Sequence, residues 1–422
     1  MSRLAERAAR GITQCTEADL PELREFLEQT HPYHHVDRLP VASLDWLWRT
    51  NPNASQEGAG IWICRRDGRI VGVQAQLAFG LRVVGQDVPA ATAIELMVDP
   101  VWRLRGVGPA ISEVQRNGVR VACALSMTEP AYKMYRRAGW ADLGEVTRRV
   151  LLVSPRGVLR SMATTKRRIA VSAVLPVASL ISACTTLGAL ARARRTRLVG
   201  TDAFDERSDE VWHDVSPFYQ MIARRDLESL RWRFDECPYA QHYERFYLLS
   251  GERPVGYIVV RMARWRSLLT LKVVDYLAPP AMVPVLMAHT LKLAKTHSAV
   301  AVEVTTRNGT CDRRLAWSGF VPFDKIKPRD DLRGAQFMVS VQRDDPLADI
   351  ITTADAWFMT SADGDLDLVE FAEKRDDSPR GVPRPRSVPV GGPTWRRRAL
   401  RRGGANLRKS RDPVPTPSRR RS

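Results

Sequence analysis

The chain has 422 residues, with 44% hydrophobic and 27% charged positions and a formal net charge of +18. A chain of this length is too long to fold around a single hydrophobic core, so one compact domain is excluded and two or three domains are expected. The apolar and charged fractions are ordinary for a soluble globular protein, whereas the net charge is not.

Most of the positive charge lies at the end of the chain. Residues 378–422 contain 14 Arg or Lys and a single acid, Asp412, which leaves about +5 of the net charge for the first 377 residues. The rest of the chain is therefore only mildly basic. Because Pro, Gly and Arg dominate residues 378–422, they cannot bury a core, and we expect a disordered basic tail.

The cysteines indicate a reducing compartment. They are scattered without paired spacing, at Cys15, Cys64, Cys123, Cys184, Cys237 and Cys311. This arrangement argues against a zinc site or a disulfide framework, so no metal is expected. Residues 1–10 are polar and charged, without the apolar core of a signal peptide. We therefore expect a cytoplasmic protein.

The first predicted elements are a strand, a helix and a hairpin. Residues 11–15 alternate like a short strand, and Thr16 with Asp19 is typical of a helix N-cap with its capping box. Residues 61–64 and 70–76 are predicted strands, joined by an Arg-Asp-Gly turn that is a hairpin signal.

A strand, a glycine-containing turn and a helix follow. Residues 91–98 are predicted as a strand, 106–118 as a helix, 121–127 as a strand and 130–138 as a helix that ends at Gly139. This succession predicts a mixed α/β (α+β) sheet domain with its turn between strand and helix.

The pattern recurs in part in the second half of the chain. Three dipeptides recur in the same order, displaced by 180 to 184 positions. They are Trp48-Arg49 with Trp232-Arg233, Val71-Gly72 with Val255-Gly256, and Gly139-Trp140 with Gly319-Phe320. Because order and offset are both kept, we expect two copies of one fold in tandem.

Residues 169–191 separate these two copies and hold 23 positions without a charge, between basic flanks. Their length and flanks suit a membrane span. However, they are rich in Ser, Thr and Ala and include Pro176 and Gly188, and a single span would place the copies on opposite sides of a membrane. We expect a helical connector, with a membrane-associated segment as the alternative.

The strongest chemical signal is the segment 96–108, Leu-Met-Val-Asp-Pro-Val-Trp-Arg-Leu-Arg-Gly-Val-Gly. A strand runs into a turn with two glycines, which opens a helix. Successive N–H groups at such a turn favour a pyrophosphate, and glycine lets the anion approach the backbone. Arg103 and Arg105 add positive charge, whereas Pro109 removes one N–H donor.

This segment resembles motif A of the GNAT N-acetyltransferase superfamily, which reads Arg/Gln-x-x-Gly-x-Gly/Ala after a strand ending in Val-x-Pro. Tyr135, followed by Gly139 and Trp140, matches a second feature of that family, and residues 16–21 look like its usual start. The resemblance covers roughly residues 11 to 155. It implies acetyl-CoA as co-substrate and no metal.

The resemblance also assigns residues to the co-substrate. The pantetheine arm would run along the strand at Met97 and Val98. The pyrophosphate would lie on the turn formed by Arg103, Leu104, Arg105, Gly106, Val107 and Gly108.

Two residues are candidates for catalysis. Tyr135 stands where many family members protonate the departing thiolate of CoA, and a phenol suits this task because its pKa is near that of a thiol. Glu95 is a candidate general base, since strand alternation turns it away from Leu96 and Val98 and an amine must lose a proton. The alternatives are an aromatic packed on the sheet and a carboxylate paired with an arginine.

Two other groups of residues are weaker candidates. His34, His35 and Asp37 lie in a polar loop where the family often shapes its acceptor pocket, but such histidines are more often only solvent-exposed. Asp363, Asp365 and Asp367 resemble the start of a calcium loop. Leu368 stands where that loop needs glycine, so we reject the calcium site.

The second copy departs from the motif where chemistry would need it. The counterpart of the glycine turn, residues 278–284, contains three prolines and no glycine. Leu315 stands four residues before Gly319, where the first copy has a tyrosine. We expect a structural or acceptor-binding domain.

The predicted organisation follows from these patterns. It comprises a catalytic domain (1–155), a connector helix segment (156–200), a degenerate second domain (201–345), a C-terminal extension (346–377) and the tail (378–422).

The predicted function is transfer of an acetyl group from acetyl-CoA to the amine of a small molecule or peptide. One alternative is a tRNA-dependent aminoacyl or peptidyl transferase, since tandem domains of this type occur there and a basic chain suits RNA. Another is a non-catalytic protein that uses its basic tail on acidic membranes or nucleic acid. The sequence does not indicate the oligomeric state.

Overall fold

The computed structural model describes residues 10–30, 46–47, 49–54, 60–154, 191, 193–265, 268–322, 335–364 and 367. Contacts divide the chain between Asp376 and Asp377, and the second unit lies wholly outside the described residues. Four predicted features also lie outside them. They are the loop with His34, His35 and Asp37, the residue Trp48, residues 169–190 of the connector, and the tail 378–422.

The first half of the chain forms strands and helices close to the predicted positions. The strands are β1 (Ile12–Gln14), β2 (Gly60–Arg66), β3 (Arg69–Val83), β4 (Gln86–Val98), β5 (Val121–Leu125), β6 (Ala141–Glu145) and β7 (Thr147–Leu152). The helices are α1 (Leu20–Thr30), α2 (Val107–Asn117) and α3 (Glu129–Arg137). The predicted capping box is present, since the main-chain N–H and hydroxyl of Thr16 both donate to Asp19 at 2.7 Å.

The second half has a comparable set of elements. The strands are β8 (Thr196–Thr201), β9 (Met221–Ala223), β10 (Glu244–Ser250), β11 (Arg253–Trp265), β12 (Leu268–Leu277), β13 (Ala301–Thr306), β14 (Val321–Pro322), β15 (Gln336–Val341) and β16 (Trp357–Phe358). The helices are α4 (Arg207–Val215), α5 (Leu227–Leu230), α6 (Val283–Thr296), α7 (Gly309–Trp317) and α8 (Ala348–Ile351).

The strands form two mixed sheets, in agreement with the predicted α/β class. The first sheet has the order β1-β2-β3-β4-β5-β15-β6, with β9 and β16 attached beside β3. The second sheet has the order β14-β7-β13-β12-β11-β10-β8. One central pair in each sheet is parallel, β4 with β5 and β12 with β13. A helix follows the first strand of each parallel pair and returns the chain to the second.

Each sheet contains one strand that comes from the other half of the chain. In the first sheet, β15 pairs with both β5 and β6, so that Met338 lies opposite Ala124 and Asp142. In the second sheet, β7 pairs with both β13 and β14, and Val150 lies opposite Glu303. The range 1–155 predicted as the first domain therefore supplies a strand to the second sheet. Each sheet is completed only by main-chain hydrogen bonds from the other half.

One of the repeated dipeptides, Gly139-Trp140 with Gly319-Phe320, occupies matching places in the two halves. Gly139 and Gly319 each follow a helix at φ values of 83° and 88°. The next residues, Trp140 and Phe320, are buried. Their N–H groups donate to the carbonyl five residues earlier, at 3.1 Å in both cases.

One hydrophobic core joins the two halves. Residues of β2 and β3 share this core with residues of β10 to β13. Trp46 and Trp232 stack within it, with ring centroids 4.9 Å apart. Each indole N–H donates to the main-chain carbonyl of the other tryptophan, at 2.8 and 3.0 Å. The buried indoles therefore satisfy each other across the interface.

The C-terminal extension is fastened to both sheets. Trp357 packs edge-on against Phe337 of the first sheet. Buried ion pairs hold the following residues. Arg225, just after β9, contacts Asp363 at 2.6 Å. Arg261 contacts Asp367 at 2.6 Å. These contacts agree with the rejection of a calcium loop, because both aspartates are engaged by arginines.

Within the part of the chain that the structure describes, no helix has the length and apolar character needed to cross a membrane.

The exchanged strand leads to a stability prediction. Phe337 of β15 is fully buried, so Phe337→Ala should lower the free energy of unfolding by about 3–5 kcal/mol through the cavity it leaves. Because β15 comes from the second half of the chain and pairs within the first sheet, urea denaturation followed by fluorescence should show a single transition that shifts to lower urea concentration. The matched control is Trp317→Ala, where 74% of the residue is exposed and the change should stay below about 0.5 kcal/mol. Two separate transitions, of which only one moves, would contradict the prediction.

Candidate functional site

The predicted turn lies at the surface between β4 and α2. Asp99 begins it by accepting a hydrogen bond from the N–H of Val101 at 2.7 Å. Arg103 folds back, and its Nε donates to the carbonyl of Val98 at 3.1 Å. Gly106 is the N-cap of α2 with φ of 83°, a left-handed conformation that glycine adopts without strain. Local hydrogen bonds thus set the shape of the turn.

The turn presents N–H groups without an acceptor and arginines without a carboxylate partner. Among the described residues, no protein acceptor faces the N–H groups of Leu104, Gly106, Val107 and Gly108. Arg103 and Arg105 are exposed, and neither guanidinium has a carboxylate partner within the described chain. The first N–H groups of a helix carry partial positive charge. The turn therefore has the donors and the charge that suit a diphosphate.

A close contact between β3 and α2 fixes this helix on the sheet. A Cβ on Gly72 would lie 2.8 Å from Val107 and 2.9 Å from Ile111, so only glycine lets the helix pack so closely. Gly108 differs, since a Cβ there would meet Val98 and Met134 at 3.6 and 3.8 Å, which is ordinary contact. Packing within the protein requires glycine at 72 but not at 108.

Beside the turn, β4 and β5 separate. Their parallel pairing ends at Ala93 opposite Ala124, although β4 continues to Val98. In this last stretch Met97 packs into the core shared by the two halves, whereas Val98 packs against α2. The two residues assigned to the pantetheine arm therefore lie on opposite faces of the strand.

Glu95 lies on a bulge of β4. The register with β3 shifts so that both Glu95 and Leu96 lie opposite the single residue Gln74. Glu95 has φ of 51° and is half-buried. Simple strand alternation therefore does not give its direction, which corrects the reasoning that selected it from the sequence. The bulge nevertheless places it where β4 leaves β5.

Tyr135 is buried under the sheet rather than exposed in a cleft. Its ring packs on Trp140 with centroids 4.5 Å apart. Its hydroxyl accepts a hydrogen bond from Nε2 of Gln74 at 3.0 Å. Burial raises the pKa of Tyr135 to about 12, and hydrogen bonds from Gln74 and Ser112 partly oppose this rise. The phenol therefore remains protonated through the neutral range.

The polar residues around Tyr135 were not identified from the sequence. Gln74 and Gln115 are each 1% exposed, and Nε2 of Gln115 donates to the carbonyl of Gln74 at 2.8 Å. The sequence contained a signal for them, because Gln74 and Gln76 interrupt an otherwise apolar strand. Buried amides in such a strand need a reason other than core packing.

The corresponding region of the second half is filled by its own side chains. The parallel pairing of β12 and β13 ends at Val273 opposite Val304. Beyond it, the hydroxyl of Tyr276 contacts Thr306 at 2.9 Å and bridges the separating strands. Phe358 packs against Tyr276, with ring centroids 5.4 Å apart.

In the second half, the positions that correspond to Glu95 and to the turn are also occupied by contacts within the protein. Asp275, 180 positions after Glu95, is 1% exposed and contacts Arg225 at 3.2 Å. At the start of α6, Val283 is fully buried, and the N–H of Met282 already donates to Pro279 at 2.7 Å. The prolines predicted to disable this turn lie at the expected place.

A cavity of about 710 Å³ lies elsewhere, between the two halves, with Trp212, Arg224 and Trp232 in its lining. Arg224 also packs over Gly80 of β3. Gly80 and Gly72 are separated by about 26 Å along this strand, at roughly 3.3 Å per residue. The cavity is therefore remote from the turn.

Within the described part of the chain, no three His, Cys, Asp or Glu side chains are grouped so that they would hold a metal ion.

Comparisons with known proteins give structural neighbours only. No family model and no curated protein matches the chain. A GCN5-related N-acetyltransferase from Anabaena variabilis ATCC 29413 is 13% identical, with 78% of this chain and 72% of that chain covered and a TM-score of 0.47. One from Kribbella flavida is 15% identical, with coverage of 78% and 70% and a TM-score of 0.45.

A third neighbour is the N-myristoyltransferase of Saccharomyces cerevisiae with bound myristoyl-CoA. It is 11% identical, with 78% of each chain covered and a TM-score of 0.43. Because each TM-score lies below 0.5, we draw nothing about the activity of this chain from these likenesses.

The packing of α2 on β3 gives a second stability prediction. Gly72→Ala should lower the free energy of unfolding by about 1–3 kcal/mol, because the new Cβ overlaps Val107 and Ile111. Gly108→Ala is the matched control, and its Cβ meets only ordinary contacts, so the change should stay within about 1 kcal/mol. Urea denaturation measures both. Equal effects of the two substitutions would show that α2 does not pack as described.

Proposed function

We propose that this protein is an N-acyltransferase that moves an acetyl group from acetyl-CoA to an amine by direct attack. The turn at residues 103–108 carries the proposal, because it combines unpaired N–H groups at a helix start with two exposed arginines that have no carboxylate partner among the described residues. These donors fit the diphosphate of CoA. Gly108 fits as well, since a ligand approaching the backbone explains a glycine that packing does not require.

The separation of β4 from β5 supports a path for the pantetheine arm. Main-chain groups of residues 94–98 have no β5 partner, since the ladder ends at Ala93. An extended chain with amide groups can pair with such an edge as an added strand does. Acetyl-CoA would supply the activated acyl group. Met97 and Val98 would contact its arm from the two faces of β4.

Two side chains would handle protons. Glu95, half-buried on the bulge, would accept a proton from the amine, directly or through water. Tyr135 would give its hydroxyl proton to the departing sulfur. Burial raises the pKa of Tyr135 to about 12, above that of a thiol, so this transfer needs hydrogen bonds that stabilise the phenolate. The acceptor would be a small-molecule or peptide amine.

We also propose that the two sheets are tandem copies of one fold and that the second copy serves the first as a scaffold. The matching strand order and the glycines at equal φ support the duplication. The filled gap around Tyr276 and the ion pair of Asp275 support a non-catalytic role.

The function is tested with the full-length protein. Calorimetry should detect binding of acetyl-CoA, and a thiol-reactive dye should detect release of CoA that depends on an added amine. The amines are amino acids, aminosugars, polyamines and short peptides. Absence of acetyl-CoA binding would exclude the proposed enzyme. Binding without thiol release for any amine would favour a non-catalytic binding protein.

Gly106→Asp should abolish acetyl-CoA binding, with at least a hundredfold rise in Kd, because a carboxylate would repel the diphosphate. Gly85→Asp is the matched control, since Gly85 has almost the same φ, 82°, and lies in a hairpin with open space around it. Calorimetric titration with acetyl-CoA measures both variants. Unchanged affinity of Gly106→Asp would contradict the placement of the diphosphate.

Tyr135→Phe should reduce the rate of CoA release by about 10²–10⁴-fold and leave the Kd for acetyl-CoA within about threefold, since only the proton donor is removed. Tyr132→Phe on the same helix is the control, because its hydroxyl bonds Asp142 instead. As the pKa of Tyr135 is about 12, the wild-type rate should show no loss from its ionisation up to about pH 10. A wild-type rate for Tyr135→Phe would exclude the acid role.

A further inference from the structure

A buried group of polar side chains surrounds the hydroxyl of Tyr135. Gln74 on β3 donates to it at 3.0 Å, and Ser112 on α2 lies close enough to lower the pKa of the phenol. Gln115, one turn further along α2, donates to the main-chain carbonyl of Gln74 at 2.8 Å. All four residues are at most 5% exposed. The group is thus enclosed between β3, α2 and α3.

This group retains unsatisfied hydrogen-bonding capacity. The side-chain oxygens Oε1 of Gln74, Gln76 and Gln115 are buried without an acceptor role among the described residues. A buried amide that lacks one of its hydrogen bonds is unfavourable by about 1–3 kcal/mol. An apolar residue in the same strand would avoid this penalty. Gln74 therefore opposes stability, and its contact with Tyr135 offers a functional reason for it.

The direction of the hydrogen bond matters for proton transfer. A tyrosine hydroxyl has one proton to donate and lone pairs that accept. Because Gln74 donates to the Tyr135 oxygen, the Tyr135 proton is not directed at Gln74 and stays available to another acceptor. When that proton leaves, the oxygen becomes negative, and a hydrogen bond to a charged atom is stronger than one to a neutral atom.

We infer that Gln74 is a positioning residue that orients the Tyr135 hydroxyl and stabilises the phenolate formed when Tyr135 gives up its proton. This inference rests on the proposed function. The amine nitrogen forms a bond to the acetyl carbon, and the bond between that carbon and the CoA sulfur breaks. The O–H bond of Tyr135 breaks, an S–H bond forms on the departing sulfur, and the electron pair remains on the Tyr135 oxygen beside Nε2 of Gln74. The amine loses its own proton to Glu95 or water, and the phenolate regains a proton from solvent.

The cost of a buried phenolate explains why such a partner is needed. Burial raises the pKa of Tyr135, and the hydrogen bonds from Gln74 and Ser112 oppose this effect. Without Gln74 the phenolate would keep only the hydrogen bond from Ser112, in an otherwise apolar setting of Trp140, Ala124 and Met338. Proton transfer to sulfur would then be less favourable.

The strand supplies a matched control. Gln76 lies two residues further along β3 and is 4% exposed, and its side-chain oxygen is also unsatisfied. Its cross-strand partner is Ala93, and no hydrogen bond joins it to Tyr135 in the described structure. Gln74→Met and Gln76→Met therefore remove the same chemical group from the same strand, and only the first removes a contact with Tyr135.

The test is a double-mutant cycle on the full-length protein, with acetyl-CoA and an amine that supports wild-type turnover. Single-turnover CoA release and the Kd for acetyl-CoA are measured for Gln74→Met, Gln76→Met, Tyr135→Phe and each glutamine variant combined with Tyr135→Phe. Tyrosine labelled with ¹³C at Cζ reports the Tyr135 environment by NMR, and Tyr135→Phe assigns the resonance.

We expect Gln74→Met to slow CoA release by about 10- to 100-fold, with the Kd within about threefold of wild type. The same change in the Tyr135→Phe background should have no further effect, because Gln74 acts through the hydroxyl. Gln76→Met should remain within about threefold in both backgrounds. The Tyr135 Cζ resonance should shift with Gln74→Met and stay in place with Gln76→Met.

A merely structural role gives different results. Equal slowing by Gln74→Met in both backgrounds, equal slowing by Gln76→Met, or an unmoved Cζ resonance would each overturn the inference about Gln74. In those cases the proposed function still stands if the Tyr135→Phe variant releases CoA more slowly than the wild type. A wild-type rate for Tyr135→Phe, or no acetyl-CoA binding at all, overturns the proposed function and this inference with it.

Discussion

The fold depends on the exchange of β7 and β15 between the sheets. Each of these strands is hydrogen-bonded on both sides, and in each case both neighbours come from the other half of the chain. Without β15, β5 would lose its partner on one side and β6 would be detached. Since β5 forms one wall of the gap beside the turn, the candidate site requires both halves. The second half thus supports the candidate site through a backbone ladder.

In both halves the two parallel strands separate at their ends, but different side chains lie beside the separation. In the first half the last paired residues are alanines, and the carboxylate beyond them, Glu95, is half-buried. In the second half aromatic rings fill the gap, and Asp275 is fixed by Arg225. The two halves therefore place different side chains around the same divergence of parallel strands.

Beneath the turn, buried polar groups lower the stability of the fold. Gly72 allows close packing of α2, which favours a rigid helix start. Directly beside it, the glutamines of β3 and α2 leave carbonyl oxygens unsatisfied. A core selected for stability alone would hold apolar residues there. The combination of a closely packed helix start with unpaired N–H groups and a costly polar group around Tyr135 fits the proposed role of this region.

The sequence by itself determined the features made by local contacts. The turn at 96–108, the N-cap at Thr16 and the loss of the turn in the second half follow from hydrogen bonds within a few residues and from glycine and proline preferences. Tertiary structure alone decided the rest. The exchange of β7 and β15 pairs residues far apart in the chain, such as Val150 with Glu303, so no local preference sets it. The bulge at Glu95 comes from the register of β4 on β3. The contact of Gln74 with Tyr135, 61 positions away, arises only when α3 packs against β3, because no local preference relates residues so distant in the chain.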